Sequence, residues 1–180
     1  MTAAPHPTPS IESFESFYRS QATFVWRSMR RLGVPPSDLE DAAQDVFIVA
    51  HRKLPEFEGR SSIKTWVFGI CLRVASDWRK KANARREAPI AEAPVRSTSG
   101  ETATREIAMR QARQKLAEVL LRLDEDKRAV FVLFELEQLS MSDVAQSVGC
   151  PVQTAYARLY AARAAVQQWL AEVRSGEVAS

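Results

Sequence analysis

The chain has 180 residues, 46% of them apolar and 26% charged, with 25 Lys/Arg against 22 Asp/Glu. This balance suits one medium or two small globular domains and excludes wholesale disorder. No apolar run approaches the roughly 20 residues that cross a bilayer, so no membrane insertion is expected. The opening MTAAPHPTPS lacks the basic start and apolar core of a secretory signal and reads as a short disordered lead-in, residues 1–10.

Charge is unevenly spread. Residues 1–86 hold 14 Lys/Arg and 9 Asp/Glu, residues 87–104 hold 1 and 3, and residues 105–180 hold 10 of each. Part of the N-terminal excess is packed into Arg79, Lys80, Lys81, Arg85 and Arg86. Cys71 and Cys150 lie far apart, in no metal-ligand spacing, and away from His6 and His51. They read as small buried thiols in a reducing, cytoplasmic setting, with no metal and no other cofactor expected.

In chain order, residues 11–32 place Phe14, Phe17, Tyr18, Gln21, Phe24, Val25, Ser28 and Leu32 on one helical face. Gly33 and the Pro35–Pro36 pair then stop the helix. Ser37 and Glu40 match a capping box for a second helix with Leu39, Ala42, Ala43, Val46, Phe47 and Ala50 inward. After the loop LPEFEGRSS, Ser61 or Ser62 caps a third helix running to about Arg86. That helix buries Ile63, Trp66, Val67, Ile70, Val74 and Trp78. Its second apolar stripe, Phe68 and Leu72, predicts neighbours on both sides. Residues 87–104, rich in Pro, Ser, Thr and Ala without periodicity, read as a flexible linker. Helices are expected near 105–122, 125–137, 141–148 and 151–173, followed by a short tail, 175–180. There is no strand signal and no internal repeat. The expected fold is all-α: two small helical domains, 11–86 with three to four helices and 105–174 with four, on a flexible tether.

The last two helices carry a distinctive pattern. Ser140 caps the first of them with Asp143 three residues on. Ala145 is small enough for a close helix crossing, and Gly149 permits the left-handed backbone of a tight turn. Pro151 is expected at the first helical position of the next helix, where its missing N–H costs nothing. Ala155, Leu159, Ala162 and Val166 then form a buried stripe, and Gln153, Thr154, Ala157, Arg158 and Ala161 face away. A polar outer face near a helix N-terminus is what a recognition helix presents to base edges. A plain helical hairpin is the alternative.

The stretch LSMSDVAQSVGCPVQTAYARLYAARAAV resembles the promoter-reading helix-turn-helix of bacterial RNA polymerase sigma factors of the extracytoplasmic-function (ECF) class. SDLEDAAQDVFIVAHRKLPEFEGRSSIKTWVFGICLRVASDWRKK resembles the other conserved domain of that class. The resemblance implies a promoter-specificity subunit with no catalytic centre, whose partners are core RNA polymerase, promoter DNA and an anti-sigma factor. Residues 11–86 would bind core polymerase and melt the −10 element, and residues 105–174 would read the −35 element.

Specific residues follow from the resemblance. Asp41, Gln44, Asp45 and Ile48, with Arg52, would face a coiled-coil arm of the polymerase clamp; taken alone, they read as a solvated helix face. Phe57, Gly59, Arg60, Ser61 and Ser62 would form a pocket for a flipped −10 base, whose extraction costs a few kcal/mol of stacking. Trp66 matches a family tryptophan, but its register suits the core. Arg73, Arg79, Lys80 and Lys81 would neutralise phosphates; taken alone, the basic cluster reads as a charged helix end. Arg73 stands where the family often has a base-reading asparagine, and it lacks asparagine's acceptor. In the recognition helix, Gln153, Thr154, Arg158 and Arg163 would contact base edges or phosphate. Tyr156, Ala157 and Ala161 replace polar or basic positions of the family pattern, and the alanines could meet thymine methyls. Tyr156 and Tyr160 could pack on the DNA backbone or on the preceding helices. A stand-alone helix-turn-helix regulator is the competing reading, but its reading head is usually basic and this one is neutral. A protein-binding helical scaffold is a third. No phosphate-binding loop, metal-ligand set or paired nucleophile points to an enzyme.

Overall fold

The computed structural model describes residues 14–87 and 103–176, with side chains at 14–85 and 111–176. The expected disordered N-terminus, most of the expected linker, the side chain of Arg86 and the end of the tail lie outside the described residues. Among the described residues the chain is all helical: α1 (Phe14–Arg31), α2 (Leu39–Lys53), α3 (Ile63–Glu87), α4 (Ala103–Arg122), α5 (Glu125–Phe131), α6 (Met141–Val148) and α7 (Val152–Ser175). None of these helices is long and apolar enough to cross a membrane.

Helix α1 buries Phe17, Gln21, Phe24, Val25 and Ser28, the spacing that places side chains on one helical face. Tyr18, expected on that face, stays exposed with its ring 4.5 Å from Phe47. The helix stops at Gly33, whose φ of +87° suits glycine, and its final carbonyls are taken by Gly33 N–H to Arg30 and Val34 N–H to Met29. The expected Ser37–Glu40 capping box does not form. A 3-10 turn over Pro36–Asp38 precedes α2, which puts Ser37 inside a helical turn; Asp38 is the N-cap and makes no side-chain cap bond. The Asp38 carboxylate is instead paired with Arg85 at the far end of α3. Ser62 caps α3, its hydroxyl accepting from the Thr65 N–H at 3.1 Å.

Helices α1, α2 and α3 form one packed unit, and α5, α6 and α7 form another. The expected helix 125–137 is regular only to Phe131. Residues Val132–Leu136 widen into a π-helical turn, which Glu137 N–H closes onto the Val132 carbonyl at 3.0 Å. Ser140 caps α6 with its hydroxyl 3.2 Å from the Asp143 N–H. Pro151 is the N-cap of α7 rather than its first helical residue. Its ψ of 147° is not helical, yet its carbonyl already accepts from Ala155 N–H at 3.0 Å.

The two units are not apart. Their buried side chains join into a single apolar cluster that runs from Phe17 and Phe47 through Phe68 and Cys71 to Val144, Leu159 and Ala162. Helix α3 lies in the middle, against α1 and α2 on one side and α6 on another. Cys71 is fully buried, and desolvation pushes its thiol pKa well above the usual range. Cys150 is half-buried, and neither forms a disulfide.

Candidate functional site

Helices α6 and α7 meet at the expected tight turn. Gly149 has φ 69° and ψ 38°, and the Cys150 N–H reaches the Ala145 carbonyl at 3.1 Å. Nothing lies within 4 Å of a Cβ added at Gly149, so this position requires glycine for its backbone conformation and not for space. Ala155, Leu159 and Ala162 are buried against the unit, with Val166 half-buried. Trp169, one turn further on, is also buried, which the four-residue stripe did not include. The outward face therefore carries Gln153, Tyr156, Ala157, Tyr160 and Ala161, with Thr154 half-buried beside them. Tyr156 and Tyr160 are 41% and 62% exposed, and their rings stack on each other at 6.4 Å.

Arg158 and Arg163 of this helix are not free cations. Arg158 is paired with Asp126 of α5. Arg163 donates from Nε to Glu135 at 2.6 Å and lies over the Phe134 ring. Asp124, which caps α5 and bonds Lys127, has its carboxyl pKa lowered first by the side-chain hydrogen bond from Lys127, with a smaller effect of Arg158. The reading face of α7 is thus polar and aromatic at its centre, with its positive charge compensated along one edge.

The loop before α3 is less open than its composition implies. The Phe57 ring packs on Trp66 at 5.1 Å, and Trp66 also meets Phe17 and joins the apolar cluster. Ser61 is buried and Ser62 is engaged as the α3 cap. Arg60 is exposed and paired with Glu58 at 2.9 Å. Along α3, Arg73 is exposed, its Nε bonded to the Gly69 carbonyl. Lys80 and Lys81 are exposed, and Lys81 lies 4.9 Å from the centre of the Trp78 ring. Arg79 points elsewhere, donating to the Leu32 carbonyl at 2.7 Å and pairing with Glu125 at 2.5 Å. It is drawn inward because the end of α1 leaves a carbonyl and α5 supplies a carboxylate.

On α2, Asp41, Gln44, Ile48 and Arg52 are exposed on one face, Ile48 being 41% exposed. Asp45 is half-buried and accepts the Trp78 indole N–H at 2.9 Å. The structure thus brings Asp41, Gln44 and Ile48 together on the surface and holds Asp45 partly inward.

Sequence reasoning missed the contacts between the two units. Thr65 Oγ1 lies 3.4 Å from Asp143, and the Ser147 hydroxyl donates to the Thr65 carbonyl at 3.1 Å. Glu137, with 3% of its side chain exposed, takes Arg27 and Arg31 of α1 together. Burial lowers the pKa of the Arg31 guanidinium, and the attraction of Glu137 opposes that. Arg128, 6% exposed, donates to the carbonyls of Leu32, Leu120, Leu121 and Leu123. An arginine directly before the apolar run AVFVLF is the one sequence signal that could have flagged such a site. Between α1 and α4 runs a groove of about 560 Å³, floored by Trp26, Leu116 and Leu120 and rimmed by arginines including Arg30 and Arg113.

Residues 17–85 match the family described as Sigma-70 region 2, and residues 113–166 match Sigma-70, region 4. The ECF RNA polymerase sigma-E factor of Escherichia coli K12 is 30% identical over 142 residues, covering 74% of each chain. The chain belongs to the ECF family of RNA polymerase sigma factors. The sigma-E factor of Haemophilus influenzae is 28% identical over 142 residues, covering 74% of this chain and 75% of its own. CnrH, solved in complex with the cytosolic domain of CnrY, shares the fold with TM-score 0.65 at 23% identity, covering 90% of both chains. RpoE of Bartonella quintana, solved with the anti-sigma factor NepR, does so with TM-score 0.63 at 23% identity, covering 86% of this chain and 96% of its own.

The sigma factor directs core RNA polymerase to promoters and initiates transcription there. Sigma factors are initiation factors and not enzymes. The α1–α3 unit corresponds to region 2, and the helix-turn-helix of α6 and α7 falls within region 4.

Proposed function

We propose that the outward face of α7 reads the −35 element through Gln153, Thr154, Tyr156 and Ala157, with Arg158 and Arg163 contacting base edge or phosphate. The observation that supports this reading is the left-handed turn at Gly149, which sets α7 across α6 with those side chains facing out. The −10 element is read and melted by the surface around Phe57, Arg60, Ser61, Ser62 and Arg73, with Lys80 and Lys81 on phosphates. Arg79 joins them only after leaving Leu32 and Glu125. Asp41, Gln44 and Ile48 seat core polymerase, and Asp45 holds Trp78 behind them. The domains take these roles over residues 11–86 and 105–174, and the protein has no catalytic centre and works in the cytoplasm, beside polymerase.

An anti-sigma protein is the regulatory partner, as for the sigma factor RpoE of Bartonella quintana, solved with the anti-sigma factor NepR. The groove between α1 and α4 supports a seat for it. An apolar floor with an arginine rim suits an acidic amphipathic helix.

The residue assignments are tested by a split phenotype. Arg158→Ala lowers initiation at −35-dependent promoters at least tenfold while core polymerase is retained on a pull-down. Asp41→Arg does the reverse, losing core binding. Loss of core binding in Arg158→Ala overturns the assignment.

A further inference from the structure

Helix α7 packs on α5 and α6, beyond the seam where α6 meets α3. Its outer side holds two parallel rows at four-residue spacing, Val152–Tyr156–Tyr160 and Gln153–Ala157–Ala161, continued by Ala164 and Ala165. All of these residues are exposed and none is charged. Val152 is 43% exposed and stands in line with the two exposed tyrosines, so a strip of apolar and aromatic surface faces water. The tyrosine rings stack with 24° between their planes, which holds both in one orientation. Arg158 and Arg163 lie along the edge of this strip, half-buried and held by Asp126 and Glu135.

Such a face discriminates among base pairs by what it can meet and what it leaves unpaired. In the major groove guanine presents two acceptors, which call for arginine or lysine, and cytosine presents an amino donor, which calls for a carboxylate. The strip exposes neither kind of side chain. A G·C pair beneath it gives up water for no partner, which costs affinity. Only thymine offers a methyl group, which alanine and aromatic rings meet by apolar contact, and its adenine partner is read bidentately by glutamine. Gln153 is the one exposed amide side chain between Val152 and Ala161. Those two residues stand about 14 Å apart along the helix, the length of about four stacked base pairs.

We infer that the strip Val152–Tyr156–Tyr160, with Ala157 and Ala161 beside it, reads thymine methyl groups, so that the −35 element of this sigma factor is a run of A·T pairs with an adenine under Gln153. The inference rests on the assignment of α7 to the −35 element and names the bases that it takes. Tyr156 and Tyr160 are the specificity-determining residues. Their rings supply most of the apolar area, and stacking on each other removes in advance the freedom that each would lose on DNA. Arg158 and Arg163, once released by Asp126 and Glu135, reach the phosphates flanking the groove and add affinity without preference for a base.

The test uses holoenzyme made from the full chain and core polymerase, selected on a promoter library randomised over both elements. The selected −35 element holds at least three consecutive A·T pairs. Each of its thymines is then replaced by deoxyuridine, which keeps every hydrogen-bonding group and lacks only the methyl. Holoenzyme binding falls about fourfold at each thymine under the strip, the contribution of one buried methyl group. Tyr156→Ala removes that penalty at one thymine or more, because the apolar partner is gone, and Tyr156→Arg moves selection there to guanine. Circular dichroism checks that each variant is folded. The wild-type uracil series needs no variant and decides by itself if a substitution unfolds the chain. A −35 element led by G·C pairs overturns the inference, and so does wild-type holoenzyme that binds the thymine and uracil forms equally. Loss of core polymerase by a folded Tyr156→Ala chain does too, since the strip would then be a protein contact. Failure of α7 as the −35 reader registers differently: Gln153→Ala and Tyr156→Ala then leave selection at every −35 position unchanged.

Discussion

Replacing Arg128 by methionine tests how the C-terminal unit is held to the end of α1. Arg128 is nearly fully buried, and its guanidinium donates to four backbone carbonyls: Leu120 at 2.6 Å, Leu123 at 2.7 Å, Leu32 at 2.9 Å and Leu121 at 3.2 Å. Three of these carbonyls close the C-terminal end of α4, where a positive charge is favourable. A carboxylate partner could be removed together with its arginine, but backbone carbonyls cannot. Methionine fills a similar volume and leaves all four acceptors without that donor. Hydrogen bonds to a charged group contribute roughly 1.5–3 kcal/mol each. The desolvation that Arg128 no longer suffers offsets part of this sum, leaving a net loss of about 3–5 kcal/mol. At about 2–4 °C per kcal/mol for a chain of this size, Tm falls by about 6–20 °C. Arg128→Lys keeps the charge but not the planar fork and falls between the two. Thermal and urea unfolding followed by circular dichroism gives both numbers. A loss below about 1 kcal/mol for Arg128→Met would refute the reasoning, because it would mean that water or a neighbouring donor serves the carbonyls equally well.

Two further predictions concern charge and thiol chemistry. Asp126→Asn removes the counter-charge of Arg158, so affinity for −35 DNA rises several-fold and the salt dependence steepens by about one counterion; titrations at several salt concentrations read this. Iodoacetamide alkylates Cys150 first and reaches Cys71 only when the protein unfolds, because burial keeps the Cys71 thiolate unpopulated at neutral pH; mass spectrometry of native and urea-treated protein distinguishes the two sites.

Local features were the readable ones. Apolar periodicity located the seven α-helices seen among the described residues, and the signals at Ser140, Asp143 and Gly149 placed α6 and its turn, because each acts over a few residues. Ser37–Glu40 failed as a cap because Pro36 already starts a helical turn, which a capping pattern does not register. Nothing in VLFEL announced the π-helical turn that delivers Glu137 to α1. On the candidate DNA surface, the outward positions of α7 followed from its period, but the pairing of Arg158 and Arg163 did not. Their carboxylates lie 32 and 28 residues away, and only tertiary packing brings them together. The same holds for Arg79, whose basic neighbours suggested a phosphate contact while the end of α1 and Glu125 hold it at the seam. The second stripe on α3 did signal a second neighbour, although not that α6 would be that neighbour.

The most direct test of the whole account is transcription from a promoter library by core RNA polymerase with and without the purified chain. The account predicts transcripts that require both components and whose promoters share a −35 and a −10 element. Tight sequence-specific DNA binding by the chain alone, with no polymerase-dependent transcripts, would contradict it.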